Sequence, residues 1–117
     1  MAKKPAYALI VLGLVGSLTI QLSAQGRTFI YYPPPVPSAE LTSALRLGMQ
    51  SPKEALILLR GVLNQATDRA LVGSLLAQIA DFESISGDLV AQRATLNRIV
   101  REFPNSNFEF EAAYNLL

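Results

Sequence analysis

Along residues 38–117, apolar positions recur at the spacing of helices. In 38–50, Leu41, Ala44, Leu45, Gly48 and Met49 fall at i, i+3, i+4, i+7 and i+8, one helical face. Ser38 stands where a cap belongs. The next segment, SPKEALILLRGVLNQAT, places Ala55, Leu58, Leu59, Val62, Leu63 and Ala66 on one face. Leu56 and Ile57 lie off it, so this helix is apolar on more than one side, as helices packed between neighbours are. Ser51, Pro52 and Glu54 predict a capping box at its start. A third helix begins after Thr67 or Asp68, with Leu71, Val72, Leu75, Leu76, Ile79 and Phe82 as its core side. It ends at Ser86-Gly87-Asp88, where Gly87 suits a left-handed turn and Asp88 suits a new cap. A fourth helix carries Leu89, Leu96, Ile99, Val100 and Phe103 until Pro104 stops it. Asn105-Ser106-Asn107 then caps a fifth, with Phe108, Ala112, Ala113, Leu116 and Leu117.

Five short helices joined by tight turns predict an all-α domain of antiparallel hairpins over 38–117. Moving the chain along itself by 37 residues lays Leu59 on Leu96, Val62 on Ile99 and Leu63 on Val100. The same shift lays Leu76 on Ala113, Ile79 on Leu116, and Gln50-Ser51 on Gly87-Asp88. The shared turn position argues for a repeat: hairpins 38–66 and 68–103, and an incomplete third repeat 106–117.

The N-terminal third reads differently. MAKKPAYALIVLGLVGSLTIQLSAQG has two lysines, an apolar stretch from Ala6 to Ile20, and Leu22-Ser23-Ala24 at its close. That is the layout of a secretory signal peptide, residues 1–24, cleaved after Ala24. The alternative is an N-terminal anchor over residues 6–24 in the inner membrane. The apolar stretch, 15 residues from Ala6 to Ile20, is short against the roughly 20 of a spanning helix. Residues 25–37 follow as an extended, Pro-rich linker, with Pro33, Pro34, Pro35 and Pro37 excluding helix. Within it Thr28-Phe29-Ile30-Tyr31-Tyr32 has strand-like composition. Its aromatic residues either pack back on the first helices or sit at a membrane surface.

The stretch GDLVAQRATLNRIVREFPNSNFEFEAAYNLL resembles a tetratricopeptide repeat of the periplasmic kind. Gly87-Asp88 occupies the turn between its two helices, and Pro104 stands 17 residues after Gly87, where that family closes its second helix. Phe103-Pro104-Asn105-Ser106, Phe108 and Glu111-Ala112-Ala113-Tyr114 resemble the junction into a next repeat. The wording is similar to that of Tol–Pal-associated envelope coordinators and outer-membrane assembly lipoproteins, over Leu75–Leu117. The family's small residue falls at Gln92, its first-helix aromatic at Glu83 beside Phe82, and its second-helix aromatic at Leu96. The lipoprotein branch requires a cysteine, and the chain has none. The resemblance implies a short tetratricopeptide-like solenoid of stacked hairpins.

Charge and chemistry narrow the function. The chain has ten Lys and Arg against nine Asp and Glu; without Lys3 and Lys4 the balance is eight to nine, net −1. A near-neutral chain with no basic cluster is a poor nucleic-acid binder. The absence of His and Cys removes most nucleophile–base pairs and the common zinc ligand sets. Asp81 and Glu83, and likewise Glu109 and Glu111, are two apart on helices and point in different directions. Gly61 and Gly73 lie inside helices and predict close helix packing. Neither an enzyme, nor a cofactor, nor a metal site is expected.

What remains is a binding surface. Stacked hairpins curve, and the first helix of each pair lines a concave face that holds another protein's segment. The resemblance places Ser74, Ala77, Asp81 and Ser84 on that face, with Glu40 and Ala44 as counterparts in the first hairpin and Tyr114 in the last helix. Phe108, Ala113, Leu116 and Leu117 form an exposed apolar end, for which a homo-oligomer through the C-terminal helix is one expectation. The function implied is an exported, non-catalytic scaffold or adaptor in the periplasm or cell envelope, acting on a protein or peptide partner. The alternatives are a self-associating structural protein and a truncated segment of a larger exported protein.

Overall fold

The computed structural model describes residues 8–14, 17–24 and 27–117. Three strands, β1 (Ala8–Leu14), β2 (Ser17–Ala24) and β3 (Arg27–Tyr31), precede five helices, α1 (Ala39–Gly48), α2 (Pro52–Gln65), α3 (Arg69–Ile85), α4 (Leu89–Glu102) and α5 (Asn107–Asn115). From residue 39 on, every element is a helix, as periodicity predicts.

The strands form an antiparallel sheet in chain order, with Val11 opposite Ile20 and Leu22 opposite Phe29. The described part of the apolar stretch thus lies in β1 and β2 rather than in a helix. No helix among the described residues is long and apolar enough to cross a membrane. Lys3 and Lys4, at the start of the expected leader, lie outside the described residues.

Each helix start has a chemical reason. Ser38 accepts the Leu41 N–H, Asp68 that of Leu71, Asp88 that of Ala91 and Ser106 that of Glu109. Ser51 precedes α2 with Pro52 in the first turn, but its side chain makes no capping bond. The capping box expected there does not close. A related pair forms at α5: Ser106 caps, and Glu109 Oε1 reaches back to accept the Asn105 N–H at 3.1 Å. Gly87 turns with φ 88°, the left-handed conformation its position requires.

Consecutive helices pack pairwise, and α3 also touches α5. One core cluster joins Leu41 and Ala44 of α1, Ala55, Leu56 and Leu59 of α2, and Leu75, Ile79 and Phe82 of α3. The other joins Ala70, Leu76 and Ala80 of α3, Leu96 and Ile99 of α4, Phe103, Phe108 and Ala112, and it includes Tyr32. On α2 the buried face is rotated from the expected one. Leu56 is buried, whereas Leu58 is 46% exposed and Ile57 69%. Periodicity cannot choose between two apolar sides; the packing of α2 between α1 and α3 does.

Two glycines set how closely alternate helices approach. A Cβ on Gly48 of α1 would lie 2.3 Å from the Phe82 ring of α3. A Cβ on Gly73 of α3 would lie 2.3 Å from the Phe108 ring of α5. The packing role expected of Gly73 is therefore met. Gly61 has nothing within 4 Å of such a Cβ, so the same expectation fails there.

Of the linker expected over 25–37, residues 27–37 are described; they are extended, and Ile30 and Tyr32 belong to the fold. The Ile30 N–H donates to the Asn105 carbonyl at 2.7 Å. The Tyr32 N–H donates to Asn107 Oδ1 at 2.8 Å, and Asn107 Nδ2 donates back to the Tyr32 carbonyl at 3.0 Å. The Tyr32 ring stacks on Phe108, with centroids 5.3 Å apart, and meets the Phe103 ring edge-on at 5.8 Å. Arg69 completes the clasp. Its Nε donates to the Tyr32 hydroxyl, its Nη2 donates to the Glu102 carbonyl at 2.6 Å, and its guanidinium lies 4.4 Å from the Phe103 ring centre. The anchoring is to the α4–α5 turn, not to the first helices.

Candidate functional site

The seam between α3 and α5 is the candidate site. The Gly73–Phe108 contact brings these helices together. Ala77 and Asp81 then face Glu111, Ala112 and Asn115, over a floor of Leu96, Ile99 and Phe108. The enclosed space is about 10 Å³, room for about one water molecule. This is a shallow contact surface rather than a small-molecule pocket.

Its electrostatics are one-signed. Asp81 and Glu111 line the seam and no lining residue is cationic. Partial burial, and after it the Glu111 carboxylate, push the Asp81 carboxyl above its ordinary pKa of 3.8. The seam thus sets the Asp81 carboxyl beside a second carboxylate, and a cation placed between them would favour ionised Asp81.

The residues expected to share one concave face divide. Ala77 and Asp81 lie in the seam, Ser74 is half-buried on α3, and Ser84 is exposed near its end. Tyr114 is 74% exposed on α5, one helical turn from Glu111. Glu40 instead lines a separate groove of about 550 Å³ between α1 and α2, with Ala39, Ser43, Ile57, Leu58 and Gly61. Ala44 is fully buried against α2 and α3, so it is core and not a contact residue. The exposed apolar end also needs correction. Phe108 fills the space over Gly73 and is buried, and Leu116 packs on the same core. Ala113 and Leu117 are exposed as expected, and Phe110, which the periodicity did not single out, is 77% exposed.

Glu83 is the charged residue that sequence reasoning set aside. It is 3% exposed. Its Oε2 accepts from Arg60 Nη2 of α2 at 2.9 Å and its Oε1 accepts from the Thr95 hydroxyl of α4 at 2.7 Å. One carboxylate thereby ties three helices together. No buried side-chain N or O among the described residues lacks a partner. The role is structural, and Phe82 next to it enters the space over Gly48.

No group of three His, Cys, Asp or Glu among the described residues is placed to hold a metal ion. No family model, curated protein or solved structure matches the chain.

Proposed function

We propose that this chain is a small helical-repeat adaptor that binds a segment of another protein carrying Lys or Arg across the α3–α5 seam. The observation that carries this reading is that Asp81 and Glu111 share the seam with no cation among its described lining residues. Within one chain such a pair is unfavourable; with a basic side chain between the two it becomes a charge-assisted contact. The neighbouring Ala77 is small, so a partner backbone can approach, and Tyr114 offers an exposed ring for the stem of a long side chain. Stacked hairpins of tetratricopeptide type supply the scaffold, supported by the chain's resemblance over Leu75–Leu117 and by the close α1–α3 and α3–α5 approaches at Gly48 and Gly73. The setting proposed is the cell envelope after export. Cleavage after Ala24 would remove β1 and β2, while the bonds of Ile30 and Tyr32 to Asn105 and Asn107 would still hold the new N-terminal segment.

Fluorescence anisotropy with labelled peptides tests the reading. A Lys/Arg-rich set binds the wild-type chain in preference to a Glu-rich set of equal length, and an Asp81→Asn, Glu111→Gln variant loses the preference by about tenfold. Equal binding of both sets, or no change in the variant, contradicts it.

A further inference from the structure

The groove between α1 and α2 contains a glycine that the fold leaves uncovered. A glycine inside a helix lowers its stability relative to alanine. At Gly48 and Gly73 the structure supplies an offset. The Phe82 and Phe108 rings lie flat against the bare backbone there, so near that an added Cβ would stand 2.3 Å from a ring carbon. Gly61 lies inside α2 and carries the same penalty. Nothing among the described residues comes within 4 Å of a Cβ placed on it.

The neighbours of Gly61 indicate what covers it. Ile57 and Leu58 precede it by one turn on the same side of α2, and they are 69% and 46% exposed. All three line the groove, whose volume of about 550 Å³ holds a phenylalanine or tyrosine side chain together with the residue beside it. A ring laid on Gly61 would take both apolar side chains out of water. Glu40 is the one charged residue among the described lining residues. It is exposed and makes no salt bridge among the described residues. A cation beside the ring therefore complements the groove.

We propose that the α1–α2 groove is a second binding site. Its occupant is a segment of another protein that sets a Phe or Tyr ring over Gly61 and a Lys or Arg beside Glu40. The ring repeats from outside the contact that Phe82 and Phe108 make from within. The bare backbone at Gly61 selects a flat aromatic face over a branched aliphatic side chain, and Glu40 selects the neighbouring cation. The site belongs to the first hairpin and uses neither Asp81 nor Glu111, so it goes beyond the seam reading.

Proton–nitrogen correlation spectra of the full chain carrying Asp81→Asn and Glu111→Gln test this, with short capped peptides as probes. The two substitutions remove the attraction of the seam for a basic peptide. A Phe–Lys peptide shifts the Gly61 and Leu58 amide signals in a saturable way. A Leu–Lys peptide binds about fivefold more weakly, and a Phe–Glu peptide about threefold more weakly. Adding Gly61→Ala puts a methyl where the ring must lie and weakens the Phe–Lys peptide by about tenfold, while the chain stays folded because the methyl meets nothing within the chain. Adding Glu40→Gln instead keeps the preference for Phe over Leu and removes that for Lys over Glu. Gly61 and Leu58 signals that the Phe–Lys peptide leaves unmoved overturn the proposal. So does equal binding of the Leu–Lys peptide, or a Gly61→Ala chain that binds as well as the chain with glycine. The seam carboxylates are absent from every chain tested, so the two readings fail separately.

Discussion

Gly48, Gly61 and Gly73 are the same residue in three helices with two different consequences. At Gly48 and Gly73 an added methyl meets a buried phenylalanine ring at 2.3 Å. Alanine there gains helix propensity of about 1 kcal/mol but forces the Phe82 or Phe108 ring aside, an overpacking cost of about 1–3 kcal/mol. At Gly61 the methyl meets nothing. Urea denaturation should therefore show Gly48→Ala and Gly73→Ala destabilised and Gly61→Ala stabilised by up to about 1 kcal/mol. Glu83 has a comparable signature. Thr95→Val leaves one oxygen of a buried carboxylate unpaired and should cost about 1–3 kcal/mol in the same assay. The sequence predicted close packing at Gly73, but not the ring that fills it, and it predicted the same, wrongly, at Gly61. A glycine in a helix shows where space is allowed but not which ring fills it, and Glu83 reads as a solvated residue until Arg60, 23 positions away, is found beside it.

The helices were legible as elements. Apolar spacing fixed that they exist, and Ser38, Gly87-Asp88 and Pro104 marked ends close to those observed. The illegible part was orientation where a helix is apolar on two sides, as the burial of Leu56 instead of Leu58 shows. The N-terminal segment was half legible. Thr28–Tyr32 read as strand-like and β3 is a strand, but its partners Asn105 and Asn107 lie 75 residues away, beyond any local pattern. The element therefore carries its own prediction. Tyr32 stacks on Phe108, meets Phe103 and anchors Arg69, so Tyr32→Ala should lower stability by about 3 kcal/mol. Tyr32→Phe keeps the stacking, loses only the bond from Arg69, and should cost about 1 kcal/mol or less. Equal losses in chemical denaturation would show that the hydroxyl, not the ring, holds the segment in place.

For the molecule as a whole, the seam makes stability depend on pH, and the proposed binding would depend on it in the opposite direction. The folded chain holds the Asp81 proton more tightly than the unfolded chain, whose carboxyl titrates near 3.8. Unfolding in that interval releases a proton, so this group's contribution to stability falls as pH rises from the ordinary value through the raised one, then stays flat. Thermal melts of wild type and Asp81→Asn should coincide at the acid end, with the variant becoming the more stable as pH rises. On the proposed function, affinity for a basic segment would run the other way, strengthening as Asp81 ionises. A surface kept at a cost to stability is what a binding function requires. Site-specific photo-crosslinking in living cells tests that function most directly, with the reactive group placed at Asp81, at Ser84 or, on the exposed back of α4, at Val90. The account predicts a discrete adduct with a second protein from positions 81 and 84 and none from position 90. Equal adducts from all three positions, or adducts from position 90 alone, would contradict it.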